Sequence, residues 1–185
     1  MCVCQELKCT VNSPRIVVYH ANQCDPSKCT GLRLGRMNKA RLVHDMRQIP
    51  SRAVILNPVS EVAFSPADRK QALSSGLAAL DCSWKLAEDV FRATKHRTQR
   101  ALPYLLASNP VNTYKPQKLS TAEALAAALY ISGFQYSARE MMNIFKWGPS
   151  FITLNKSWLD SYAQCESSTC VVRVQSEIMR EHSKH

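Results

Sequence analysis

The stretch Arg15–Leu34, RIVVYHANQCDPSKCTGLRL, decides the fold class. Its opening RIVVYH is rich in β-branched residues and is bounded by Pro14 on one side and a polar turn on the other, which predicts a buried strand. Asp25-Pro26 then makes a turn, and Cys29-Thr30-Gly31 leads into a short helix through Leu32 and Leu34. A strand that runs through a turn into a helix is the repeating unit of parallel α/β sheets. The junction between strand and helix is where such proteins collect their binding groups.

The unit recurs downstream. RAVIL at 52–56 predicts a second strand that stops at Asn57-Pro58. Ser65-Pro66-Ala67-Asp68 supplies an N-cap, a proline at the first helical position and an acid at the third, opening a helix that ends near Gly76. Leu77 to Asp81 follows as a strand. Ser83 is placed to cap a helix with Trp84, Ala87, Val90 and Phe91 on one face, and Leu102 to Ala107 is a further strand candidate. After Asn109-Pro110 the spacing becomes helical. Ser120-x-x-Glu123 opens an Ala/Leu-rich helix closed by Gly133, Ser137-x-x-Glu140 opens another toward Phe145, and a last helix covers about 168–182. The expectation is an α/β fold, with a parallel five-stranded sheet in the N-terminal half and a mostly helical C-terminal half. The divisions fall at 1–14, a cysteine-bearing extension, 15–103, the α/β domain, and 104–185, the helical domain.

Composition narrows the function classes. A chain of 185 residues with 45% hydrophobic content buries a real core. The 24 Lys and Arg against 14 Asp and Glu leave a charge of +10, an excess that attracts polyanions by counterion release; nucleic acid is the natural partner. No apolar run approaches the ~20 residues needed to cross a bilayer, so no membrane association is expected. The eight cysteines follow no basic-then-apolar secretory signal, which reads as reduced thiols in a cytoplasmic protein, with a nuclear share open. Cys24-x4-Cys29 supplies two metal ligands where a closed zinc site needs four, so no metal is expected. Phosphate-loop, GxSxG and HExxH motifs are absent.

Three segments carry more than composition: HANQCDPSKCTG at 20–31, GLAALDCSWKLAED at 76–89, and RALPYLLASNPVNTYKPQKLSTAEALAAALYISGF at 100–134. Together they resemble the signature stretches of the small-subunit ribosomal RNA aminocarboxypropyltransferases, relatives of the SPOUT methyltransferases. The pattern Cys-Asp-Pro-x-x-Cys-Thr-Gly is matched throughout, and the third segment falls in family register without a gap. One departure is local: where the family usually has Asn-Tyr-Gly, this chain has Asn112-Thr113-Tyr114. The resemblance implies a SPOUT-like fold with a deep trefoil knot, a monomer, and a cleft for S-adenosylmethionine that the helical domain completes. It assigns cofactor contacts to Thr30 at the ribose, to Trp84 and Ala87 around the methionine end, and by position to Leu56, Leu80, Leu102, Gln117, Leu119, Ser120 and Thr121.

The implied reaction is transfer of a 3-amino-3-carboxypropyl group to a hypermodified uridine, typically N1-methylpseudouridine, of small-subunit rRNA, releasing 5′-methylthioadenosine. Asp81, at the end of a strand, reads either as a cap for the next helix or as the base or orienter for the ring imide. Candidate phosphate contacts are Arg33, Arg36, Lys39 and Arg41 after the first segment, with Lys95, Arg97 and Arg100 before the third; each is equally at home on a solvated face. Two other readings stay open, an RNA methyltransferase on the same scaffold and a metal-containing RNA-binding assembly factor built on the cysteines.

Overall fold

A computed structural model describes residues 13–22, 25–26, 28–81 and 98–183. β1 (Ile16–His20) is followed by α1 (Thr30–Arg36), β2 (Arg41–Val43) and β3 (Val54–Leu56). A 3-10 turn at Pro66–Asp68 leads into α2 (Arg69–Ser75), then β4 (Leu77–Asp81) and β5 (Gln99–Arg100). The five strands form one sheet in the order β2-β1-β4-β3-β5, every pair parallel. The expected parallel five-stranded sheet is therefore present. The helix predicted around Trp84 and Ala87 lies outside the described residues.

Strand alternation sorts the sheet into two faces. Val18, Val54, Leu56, Leu77 and Ala79 join the larger core, while Val17, Val43, Ile55 and Ala78 pack on the other side with Ile49 and Ala53. The helical half is α3 (Thr121–Ile131), α4 (Gln135–Met142), α5 (Gly148–Leu154), α6 (Lys156–Ala163) and α7 (Ser168–His182). α3 is buried on nearly all sides, from Ala122 and Glu123 through Leu125 to Ile131, as its unbroken Ala/Leu composition requires. Its capping box is formed as expected: the Ser120 hydroxyl accepts from Glu123 N at 3.3 Å, and the Glu123 carboxylate accepts from Ser120 N at 2.7 Å. Gly133, at φ 80°, closes the helix with Phe134 N donating to Leu129 O (2.8 Å) and Gly133 N to Tyr130 O (3.0 Å). One buried cluster holds Val18 and Leu77 from the sheet together with Leu129, Phe151, Tyr162 and Ile178 from the helices.

Three expectations are corrected. Leu102 to Ala107 is apolar and, from Pro103 on, buried, but is not a strand; the edge of the sheet is Gln99–Arg100. The reason is that its backbone groups are taken up by side chains of the helical half and by the 114–117 loop, where Gln117 N donates to Leu105 O (2.9 Å) and Ala107 N to Lys115 O (3.1 Å) in a single antiparallel bridge. Tyr104 N donates to Gln175 Oε1 and Leu106 N to Asn155 Oδ1, both at 2.9 Å. Leu106 O accepts from Asn155 Nδ2 (2.9 Å) and Tyr104 O from the Tyr162 hydroxyl (3.1 Å), so no ladder is needed. Ser137 does not cap a helix: the turn at Gly133 delivers the chain straight into α4, which starts two residues earlier at Gln135. The second strand begins at Val54 rather than Arg52, because Ala53 N is engaged by Pro50 O in a turn. β2 carries no strand signal in the sequence and forms by pairing with β1, Val18 opposite Leu42.

Candidate functional site

The strand order reverses between β1 and β4. Beyond the carboxyl ends of these central strands opens a pocket of about 800 Å³, the place where open α/β sheets bind ligands. Its volume is in the range of cofactor sites. The sheet contributes Leu56, Leu80 and Asp81; α1 contributes Thr30 and Arg33; the crossing segment contributes Leu102, Gln117, Leu119, Ser120 and Thr121. Each cofactor residue expected from the sequence and present among the described residues thus lines one cavity. Trp84 and Ala87 lie outside the described residues.

Register places the chemistry. β1 and β4 pair so that His20 stands opposite Asp81, and Cys29 caps α1 just beyond them. The Cys29 thiol donates to Asp81 Oδ2 at 3.0 Å and accepts from Leu32 N at 3.3 Å. Gly31 is required by this approach: a Cβ there would meet Asp81 Oδ2 at 2.6 Å. Thr30 joins the two halves, its Oγ1 accepting from Ala122 N at 3.3 Å. The far wall is held by Glu123, fully buried, whose carboxylate accepts from Ser108 N (2.6 Å), Asn109 N (2.9 Å), Asn109 Nδ2 (2.7 Å) and Ser120 N (2.7 Å). Four N–H donors on one carboxylate fix the loop that carries Asn109 to Ser120 along the pocket. Tyr114 and Gln117 of that loop take left-handed backbone, φ 62° and 56°. Tyr114 occupies the position at which the family pattern has glycine, so the loop keeps the turn without it.

The sequence reading missed three contributors. Cys29 appeared as part of a turn motif and as half of an incomplete metal-ligand pair, not as the partner of Asp81, although its helix-capping position lay in the sequence. Phe145 and Trp147, with ring centroids 5.1 Å apart, line the pocket from the turn between α4 and α5, and Arg33 joins them by donating to Ile144 O (2.9 Å) with its guanidinium 5.2 Å from the Phe145 ring. That contact spans more than a hundred residues, and no local signal encodes it.

The expected basic contacts scatter. Arg33 is at the pocket and Arg36 is exposed one turn on. Lys39 lies 3.9 Å from Glu140, and Arg41 starts β2 beside Val17, toward the amino ends of the strands. Arg100 is turned into the fold, its Nε donating to Asp68 Oδ1 at 2.9 Å. Lys95 and Arg97 lie outside the described residues.

These features define an α/β protein with a ligand pocket at the carboxyl ends of its central strands, closed by a second, helical half. Comparison with known proteins makes the class specific. Residues 54–179 match the family described as "Ribosome biogenesis protein, C-terminal". The chain is 48% identical over 166 residues to the 16S rRNA aminocarboxypropyltransferase of Methanosphaera stadtmanae, covering 89% of this chain and 97% of that one. It is 44% identical over 170 residues to the protein of that name from Methanocaldococcus jannaschii, covering 92% and 99%. The structure of the SAM-dependent rRNA:acp-transferase Tsr3 from Vulcanisaeta distributa superposes with a TM-score of 0.79 at 39% identity, covering 93% of this chain and 99% of that chain. The chain belongs to the 16S rRNA aminocarboxypropyltransferase family.

Residues 14–48 also match a family described as a possible Fer4-like domain in RNase L inhibitor. A four-thiolate cluster does not fit this segment, which contains only Cys24 and Cys29. His20, Cys29 and Asp81 do bring one donor atom each within 4.8 Å of one another, but the Cys29 thiol is committed to α1 and to Asp81. Among the described residues no helix is long and apolar enough to cross a membrane.

Proposed function

We propose that this protein transfers the 3-amino-3-carboxypropyl group of S-adenosylmethionine to a uridine of small-subunit rRNA. The observation that carries the reading is the convergence of Thr30, Asp81 and the Gln117–Thr121 segment on one pocket, in a chain of this family. The pocket suits the donor: apolar walls at Leu56, Leu80 and Leu102 alternate with the polar groups of Thr30, Ser120 and Thr121. When bound, S-adenosylmethionine supplies a sulfonium whose γ-carbon–sulfur bond breaks as the uracil-ring nitrogen bonds to that carbon, leaving 5′-methylthioadenosine.

The chain's own contribution is positioning and proton handling. Asp81, held at Oδ2 by Cys29, presents a carboxylate to the pocket and takes or orients the imide proton. Thr30 and Thr121 sit at the seam between the halves and orient the donor. By the family resemblance the methionine end is assigned to Trp84 and Ala87. Phosphate contacts are assigned to Arg33, Arg36 and Lys39, with Lys95 and Arg97; Arg41, toward the amino ends of the strands, and Arg100, engaged by Asp68, fall outside that footprint. The target is an N1-methylpseudouridine.

The finer architecture belongs to the same proposal. The chain leaves β5 at one edge of the sheet and returns to place α3 against β4 and α1, a path consistent with a SPOUT-like trefoil knot. The divisions 15–103 and 104–185 are the two walls of the cleft, and the protein works as a monomer in the cytoplasm. The test is incubation with S-adenosylmethionine and a small-subunit rRNA hairpin, with products identified by chromatography and mass. Methylthioadenosine formed only with RNA is expected; S-adenosylhomocysteine would mean methylation and overturn the reading.

A further inference from the structure

Two thiols face each other at the corner where α6 hands over to α7, and neither lines the pocket. Cys165 is buried in the turn after α6, and Cys170 is half-buried as the third residue of α7. Their Sγ atoms are 2.8 Å apart, within an ångström of the bonded separation of about 2.05 Å. The surroundings keep them there. Ser167 Oγ caps Cys170 N at 3.2 Å, Ser168 Oγ accepts from Ala63 N at 2.9 Å, and Gln175 Oε1 accepts from Tyr104 N at 2.9 Å, so the first two turns of α7 are anchored to the rest of the fold. An anchored pair needs little motion to bond.

We propose that Cys165 and Cys170 are a modification site, a dithiol that closes reversibly to an intramolecular disulfide in the presence of a low-molecular-weight disulfide such as oxidised glutathione. The two sulfurs divide the roles. Cys170 is the accessible one, with Arg173 Nη2 at 3.8 Å. The hydrogen bond it shares with Cys165, and then Arg173, hold its thiol below the ordinary value, while burial pushes Cys165 up to about 12. Cys170 is therefore the attacking thiolate and Cys165 the resolving thiol. Cys170 Sγ attacks one sulfur of oxidised glutathione, forming a mixed disulfide and expelling one glutathione thiolate. Cys165 then gives up its proton and attacks Cys170 Sγ; the sulfur–sulfur bond forms and the second glutathione leaves as a thiol. Two protein thiols are oxidised and one small disulfide is reduced.

The sequence supplies a clean readout, because trypsin releases both cysteines in one peptide, Ser157 to Arg173. The full chain is equilibrated in glutathione buffers of increasing oxidised fraction, quenched with an alkylating reagent, digested and weighed. The expected result is a peptide two hydrogens lighter that resists alkylation, appearing as the buffer becomes oxidising and reverting with dithiothreitol. In Cys165→Ser, a glutathione adduct should accumulate on Cys170; in Cys170→Ser, Cys165 should stay unmodified. A wild-type peptide that stays doubly alkylated in fully oxidised buffer, or that carries glutathione on both sulfurs, would overturn the proposal without reference to either variant.

Discussion

Glu123→Gln tests whether one buried carboxylate holds the pocket wall. In the native protein its two oxygens accept four N–H donors, two each, from Ser108, Asn109 and Ser120. Glutamine keeps one oxygen and puts an NH₂ where the other stood, so two buried donors lose their acceptor and face another donor. Each orphaned donor costs about 1–3 kcal/mol; two cost about 2–6, and the partial exposure of Ser120 places the sum nearer 3–4. For a chain of this size each kcal/mol lowers Tm by about 2–4 °C, so the expected fall is roughly 10 °C. The protein stays folded, since total stability is about 5–15 kcal/mol. Thermal unfolding by circular dichroism reads the first effect. Titration with S-adenosylmethionine reads the second, a weaker affinity caused by a loosened 109–120 loop. Glu140→Gln is the control, because its contact with Lys39 is long and both side chains are 42% exposed; its effect should stay below about 1 kcal/mol. If Glu123→Gln matched that control in both Tm and affinity, the carboxylate would not be holding the loop.

Four further outcomes are expected. Gly31→Ala should keep the fold but lower turnover by roughly 100-fold, because displacing Asp81 by an ångström is enough to misplace it; steady-state kinetics with unchanged turnover would refute the close approach. Asp81→Asn should retain the Cys29 hydrogen bond and donor affinity while turnover falls by about 100-fold or more, and full turnover would remove Asp81 from proton transfer. Tyr114→Gly should raise the denaturant midpoint, since relief of about 1–2 kcal/mol of left-handed strain exceeds the roughly 0.5–1 kcal/mol entropic cost of glycine; a lower midpoint would mean the tyrosine ring packs. Charge reversal at Arg36, Lys95 and Arg97 should flatten the salt dependence of rRNA binding by about 0.7–0.9 for each phosphate that is no longer neutralised, and an unchanged slope would place the RNA elsewhere.

Much of the architecture was legible before any coordinates. The β-branched run at 16–20, the short apolar run at 77–80 set off by Gly76, the proline-led helix start at Pro66 and the Ser120–Glu123 box each act through neighbours within a turn or along one strand, so composition and spacing expose them. The pocket residues were reached through motif resemblance, which encodes tertiary placement that periodicity does not carry. What misled was the apolar run at 102–107: burial looks the same in a strand and in an irregular segment, and the difference is whether its backbone joins the sheet or is taken up by the side chains of Asn155 and Gln175 and the 114–117 loop.

By itself, the chain's order of residues determines local conformation, helix ends, the charge that draws a polyanion and the parallel α/β class, because these follow from forces acting within a few residues. The tertiary structure alone decides that the Cys29 thiol holds Asp81 across 52 positions, that Thr30 receives Ala122 N across 92, and that Glu123 serves a loop as well as its own helix. Those meetings depend on sheet register and on one core shared by both halves. Burial of common apolar surface selects them, and burial is a property of the whole chain at once.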